Sequence, residues 1–245
     1  MNLNVEKILI IGLGMIGASI ALASRSKGIK VTGYDIDPNS VKNAFQKQII
    51  DDEASSIEQI NSKEYTKDID LIILAIPPKQ TLDVLNSLQE VWNTDTTITE
   101  TSSVKNHIKI EEVSNIVLSH PIAGSDQSGL LAADENLFKN KKNVLCNPFN
   151  SDKDHYDKVE NFWSNALQMK TALMTVSEHD LIFAMTSHLP HLISYALIDS
   201  IRLSNNDVGD NAGGGIKEFL RLSGSNPERW RDIFMLNRVD LIKAL

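Results

Sequence analysis

The chain has 245 residues, 42% hydrophobic and 23% charged, enough apolar material for one or two ordinary cores without metals or disulfides. A formal net charge of -8 and a pI near 5.2 give a long-range field of the wrong sign for phosphate backbones and anionic membranes, so neither nucleic acid nor a membrane is expected as a partner. A single cysteine, Cys146, excludes an intrachain disulfide and fits the reducing cytoplasm; the start, MNLNVEKILIIGLG, lacks the features of a signal peptide, and no apolar run is long enough to span a bilayer.

The first half alternates short β-rich apolar runs with helical patterns, the mark of a parallel sheet covered by helices. Strands are predicted at Lys7–Ile11, Lys30–Tyr34, Asp70–Ile76, Thr96–Thr99, Asn115–Ser119 and Asn143–Asn147. Helices are predicted at Met15–Lys27, Ser40–Lys47, Lys79–Val91 and Val104–Glu112. The run DLIILAIPP reads as a central strand buried on both faces and stopped by Pro77 and Pro78. Beyond Pro148 the pattern changes to long helical periods, His155–Leu167 and Ser177–Leu203, with almost no strand signal. The boundary is therefore placed there, giving domains 1–150 and 151–245. A terminal helix is expected to begin near Pro227, a favoured first-turn residue.

Strand KILIIG runs straight into Gly12-Leu13-Gly14-Met15-Ile16-Gly17 and then into the apolar helix ASIALAS. In such a loop the first glycine permits a tight turn, the second lets the backbone approach a pyrophosphate, and the third lets the helix pack on the strand. The helix N-terminus adds free amides and a positive dipole end. A second strand, VTGYD, ends in Asp35, placed to accept hydrogen bonds from ribose hydroxyls and to repel a 2′-phosphate. No Arg or Lys follows within 36–41, which favours NAD over NADP. The expected fold is α/β, an N-terminal Rossmann domain followed by an all-helical domain, and Ile76 after the central strand joins the cofactor-binding residues.

A dinucleotide fold does not name a substrate, so the reaction is read from polar residues downstream. TSSVK (101–105), HPIAGSDQSG (120–129), SHLPH (187–191) and the GGGIKEFLRLSGSNPERWRDIF tail from Gly213 stand out. In this order and combination the chain resembles the prephenate and arogenate dehydrogenases of tyrosine biosynthesis, over nearly its whole length. The resemblance implies a helical domain like the C-terminal domain of 6-phosphogluconate dehydrogenase, a homodimer, and NAD-dependent oxidative decarboxylation of prephenate to 4-hydroxyphenylpyruvate. Arogenate is the alternative substrate.

Residue by residue, the resemblance makes His120 the group that contacts the substrate hydroxyl, and Ser103 the serine that orients it beside the nicotinamide. A neutral imidazole suits that task near pH 7. By itself Ser103 also reads as an N-cap for VKNHIKIEE. At Glu100, just before TSSVK, and at Ser102 within it, the chain departs from the aspartate and small residue usual in the family. Arg221 matches an arginine that holds a substrate carboxylate, although a surface ion pair with Glu218 accounts for it equally well. His191 matches a pocket histidine; Ser125, Asp126, Gly214, Gly215 and Trp230 complete the implied substrate site, with core packing an equal reading for Trp230. His188 reads as structural, and Pro190 should kink its helix. No HExxH or cysteine cluster is present, so no metal is assigned. Set against the resembled family, a chain ending at Leu245 is expected to lack part of the usual C-terminal helices and to hold no fused mutase or regulatory domain.

Two other readings compete. A different β-hydroxyacid dehydrogenase would need a helical-domain lysine, for which Lys170 and Lys217 are the nearest candidates, and neither lies in a matching motif. A noncatalytic NAD sensor would keep the glycine loop and lose the chemistry, against which the presence of His120, Ser103 and Arg221 argues.

Overall fold

The computed structural model describes residues 5–124, 127–204 and 213–245. In chain order its elements are β1 (Lys7–Ile11), α1 (Met15–Arg25), β2 (Lys30–Tyr34), α2 (Pro38–Gln46), β3 (Asp52–Glu53), α3 (Ile57–Ile60), α4 (Lys63–Thr66), β4 (Leu71–Leu74), α5 (Pro78–Ser87), β5 (Thr97–Glu100), β6 (Ile116–Pro121), β7 (Lys142–Cys146), α6 (Lys153–Asn161), β8 (Lys170–Leu173), α7 (Val176–Phe183), α8 (Leu189–Leu203), α9 (Gly214–Ser223), α10 (Pro227–Leu236) and α11 (Arg238–Ala244).

The strands form one sheet in the order β3-β2-β1-β4-β5-β6-β7-β8, parallel except between β6 and β7. The first six positions have the Rossmann order, and the chain reverses direction across the sheet between β1 and β4. That switch point opens a crevice at the carboxyl ends of the strands, where such sheets bind ligands. β1 and β4 can occupy the centre because Ile8–Ile11 and Leu71–Leu74 are apolar on both faces and buried throughout. One apolar layer, including Ile20, Phe138, Phe162 and Trp163, covers one face of the sheet; another, including Leu85, Val91, Ile98 and Cys146, covers the other. Burial pushes the Cys146 thiol up to about 12.

Three sequence expectations change. Val104–Glu112 forms no helix: the Lys105 and Asn106 amides are taken by the Asp180 carboxylate, at 2.9 and 2.8 Å, and Ser102 bonds both backbone groups of Val104. The tertiary acceptor wins over a segment whose β-branched Val104, Ile108 and Ile110 favour a helix only weakly. Second, Lys170–Leu173 adds strand β8 to the sheet beside β7, so the sheet continues past residue 150. Its residues are only partly covered, which leaves the strand without the buried alternation that signals one. Third, α7 and α8 join through a π turn at Ala184–His188 into a 28-residue helical rod, Val176–Leu203, with mean hydropathy 1.4 in its most apolar window. By length and composition alone it is a candidate span, contrary to the expectation; Ser, Thr and His break its apolar runs without lowering the average far. Inside the protein this rod carries buried His179, Asp180 and His188. The disturbance expected at Pro190 takes the form of the π turn directly before it.

Glu100 and Lys105 form a fully buried ion pair, and Lys105 Nζ also donates to the Ser119 carbonyl at 2.5 Å. The second Glu100 oxygen accepts from the Ser102 amide at 2.6 Å. Burial raises the Glu100 carboxyl against the pull of the ammonium. Removing one partner strands a buried charge, so Glu100→Ala should lower unfolding free energy in urea by about 3–5 kcal/mol.

Candidate active site

Each glycine of the loop after β1 has a distinct steric situation. Gly12 has φ +95°, and a Cβ there would lie 2.5 Å from the Ala75 carbonyl oxygen. A Cβ on Gly17 would stand 1.9 Å from the Gly12 carbonyl oxygen, inside the contact that seats α1 on β1. Gly14, by contrast, opens onto space with nothing within 4 Å of its Cβ position. The turn and the packing glycine are thus required by the protein itself, and Gly14 is left for a ligand to approach.

That space is a cleft of about 920 Å³ running from the glycine loop across the sheet's carboxyl edge. Gly12, Gly14, Met15, Ile16, Asp35, Ile76, Ser103 and His120 all line it, so most of the expected cofactor residues meet there with both expected catalytic ones. Leu13 and Gly17 are buried behind it. Asp35 accepts from the Leu13 amide at 2.7 Å through one oxygen and from the Asp37 amide at 2.9 Å through the other, which fixes a carboxylate beside the loop.

His120 sits near the end of β6, where its strand is clamped by three contacts at Ser119. The Ser119 hydroxyl pairs with Thr99 at 2.7 Å and accepts from Trp163 Nε1 at 2.9 Å, and its carbonyl takes the Lys105 ammonium. His120 Nδ1 lies 2.8 Å from Nε2 of His179, whose Nδ1 lies 2.7 Å from Asp180. The direction of these bonds follows from the acceptor at the end of the chain. The carboxylate can only accept, so His179 carries its proton on Nδ1, His179 Nε2 accepts from His120 Nδ1, and the lone pair of His120 resides on Nε2. Phe183 packs on both rings, with centroids 4.6 Å from each. Burial, then the neighbouring His179, Lys105 and His188, holds His120 well below the ordinary value near 6.5, keeping the imidazole neutral. Burial alone would raise Asp180, but hydrogen bonds from His179 and the Asn106 and Lys105 amides outweigh it and keep the carboxylate ionised.

His179 and Asp180 were not singled out from the sequence, although an ionisable pair inside an apolar helix is a usable signal. They are the groups hydrogen-bonded in line with His120, and among the described residues Ser103 makes no side-chain hydrogen bond to that ring. With Val104–Glu112 not helical, Ser103 is not an N-cap either.

Of the expected substrate residues, those described lie outside the cleft lining. His191 stacks on Trp230 with centroids 3.5 Å apart and its Nδ1 donates to the Ser187 carbonyl at 2.9 Å. Its pKa is lowered by burial and then by the charge of Arg221, which places that arginine nearby. Arg221 is half-exposed on α9 and pairs with Glu218 at 3.2 Å. Gly214 and Gly215 begin α9, exposed. Ser125 and Asp126 lie outside the described residues. His188 is buried, accepts from the Asn237 side chain at 3.0 Å, and is held at about 4 by burial. No cluster suited to a metal ion is found among the described residues.

Residues 20–169 match the family model described as prephenate dehydrogenase, nucleotide-binding domain, and residues 175–245 match its dimerization domain. The chain belongs to the prephenate dehydrogenase family. Its relatives within that family include the prephenate dehydrogenase of Bacillus subtilis (strain 168), 32% identical over 97% of this chain. The chain spans 66% of that protein's length, just under two thirds. A crystal structure of prephenate dehydrogenase from A. aeolicus, in complex with hydroxyphenyl propionate and NAD+, superposes with TM-score 0.88 at 32% identity, covering 100% of this chain and 87% of that one. Synechocystis arogenate dehydrogenase gives TM-score 0.80 at 27% identity, covering 97% and 86%. The family thus includes proteins named for either of two substrates, and most of the cleft lining of this prephenate dehydrogenase family member comes from its nucleotide-binding half.

The glycines separate two kinds of damage. Gly14→Ala should melt with the parent protein yet bind NAD+ at least tenfold more weakly by calorimetry, whereas Gly17→Ala should lose about 1–3 kcal/mol or more of stability through overpacking. His188 yields a pH dependence. Its unfolded value near 6.5 exceeds its folded value of about 4, so the unfolded chain binds the extra proton and stability present above pH 6.5 is lost on acidification. Between pH 7 and pH 5 this one ring should cost about 2 kcal/mol, read as the change in unfolding free energy that disappears in His188→Gln.

Proposed function

We propose that this protein is an NAD-dependent prephenate dehydrogenase, acting in the cytoplasm as a homodimer and converting prephenate to 4-hydroxyphenylpyruvate. The observation that carries the reading is the His120–His179–Asp180 chain, which turns a neutral imidazole with a defined lone pair toward the cleft that begins at the glycine loop. The residues present suit the dinucleotide: Gly14 leaves room for a pyrophosphate, α1 offers its N-terminal amides, and the fixed Asp35 carboxylate suits ribose hydroxyls and repels a 2′-phosphate. When bound, the nicotinamide supplies the hydride acceptor.

The work of the protein's own groups is then limited and specific. His120 Nε2 accepts the proton of the substrate's ring hydroxyl as the carbinol carbon gives up its hydride. The bond to the ring carboxylate breaks, carbon dioxide leaves, and the released electron pair completes the aromatic ring. The resulting phenolate oxygen takes the proton back from His120. Asp180, through His179, stabilises the transient imidazolium. Ser103 also lines the cleft and suits a contact to substrate or nicotinamide. His191, Trp230 and Arg221 suit the recognition of the substrate's carboxylates, and Gly214 and Gly215 open α9 with free backbone amides that suit the same task. A second copy of the chain would cover the apolar side chains left exposed on the C-terminal helices, among them Met185, Ile193, Met235 and Val239.

Assays with prephenate and arogenate, each with NAD+ and NADP+, separate the substrates, and turnover with prephenate and NAD+ is expected. His120→Asn should retain NAD+ affinity and lose about a hundredfold or more in kcat. Near-normal turnover in that variant would remove His120 from the chemistry.

A further inference from the structure

The cleft has a wall that the glycine loop does not build. Gln80, Asp83, Val84 and Ser87 of α5 line it on one side, and Arg229 and Ile233 of α10 reach it from the C-terminal helices, which pack against α5. Arg229 and Ile233 are one helical turn apart, so one face of α10 presents both. Ile233 is buried and anchors the helix, while Arg229 is exposed.

The charges on this lining are few. Among its described residues Asp35 and Asp83 are carboxylates, His120 is neutral, and Arg229 is the one fixed cation. A dinucleotide carries two phosphate charges into this cleft, and the rest of the described lining answers them with neutral donors alone, backbone amides together with hydroxyl and side-chain amide groups. Three other arginines of the C-terminal helices are committed to neighbours on their own helix, Arg202 to Asp199, Arg221 to Glu218 and Arg231 to Asp232, and Arg238 does not line the cleft. Arg229 has no carboxylate within ion-pairing distance among the described residues, although Asp83 shares its cleft. Its guanidinium offers a planar fork of donors matched to phosphate oxygens.

We propose that Arg229 is a cofactor-binding residue contributed by the C-terminal domain, pairing with the diphosphate of the dinucleotide and closing the cleft over it. The proposal rests on reading the cleft as the NAD site. It makes cofactor affinity depend on how the C-terminal helices sit over the nucleotide-binding half.

Calorimetric titration of the whole chain and of Arg229→Ala and Arg229→Lys with NAD+, ADP-ribose and adenosine tests it. Arg229→Ala should bind NAD+ and ADP-ribose about tenfold more weakly, with a shallower salt dependence, and Arg229→Lys should recover part of the loss. Adenosine, which lacks phosphate, should bind both proteins alike. Equal affinity of the unaltered chain and Arg229→Ala for NAD+ and ADP-ribose would overturn the assignment, as would a loss that extends equally to adenosine. An unaltered chain that binds no NAD+ would instead overturn the reading of the cleft itself.

Discussion

The arrangement around the cleft depends on where one carboxylate, that of Asp180, directs its two oxygens. One accepts from the Lys105 amide and from His179; the other accepts from the Asn106 amide. A single buried anion therefore ties the loop that follows β5 to the histidine pair, and joins helix α7 to the nucleotide-binding half. Bonds to a buried charge are stronger than neutral ones, and the price of leaving such a charge unpaired enforces the arrangement. Tautomer, ring orientation and loop position are set together, because each uses a lone pair of the same group.

The Glu100–Lys105 pair reinforces this from the other side. Lys105 is held by its backbone at Asp180 and by its ammonium at Glu100 and the Ser119 carbonyl, immediately before His120. The departures at Glu100 and Ser102 that set this segment apart from the family pattern fall within a hydrogen-bonded unit: the Glu100 side chain reaches both the Ser102 amide and Lys105. The variation is accommodated within the unit, and the strand that carries His120 keeps its clamp.

What the sequence reveals follows the range of each interaction. The glycine loop is legible because its requirements are local: a turn at Gly12, an open approach at Gly14 and a contact at Gly17 all arise within one strand–helix junction. The central strands are legible because burial on both faces writes itself as unbroken aliphatic runs. His179 lies 59 residues from His120, and only the folded chain brings the two rings within 2.8 Å. The missing helix at Val104–Glu112 has the same origin, since the acceptor that captures its first amides is Asp180, which lies 75 residues beyond Lys105. Strand β8 escapes notice for a different reason: at the sheet's edge it is half covered and carries no strong alternation. The substrate residues are grouped by resemblance, and His191, Trp230 and Arg221 do lie together, outside the lining of the cleft that Arg229 and Ile233 reach.

The lone thiol of Cys146 offers a practical reporter. It lies in the sheet's apolar layer with no exposed surface, and a value near 12 leaves about one molecule in 10⁵ as the thiolate at neutral pH. Reaction with a thiol-labelling reagent therefore requires that the sheet first open. The labelling rate of the unaltered protein becomes a direct clock for core opening, with one thiol and no background from others. Ligands that bind only the closed form should slow that clock in proportion to their occupancy.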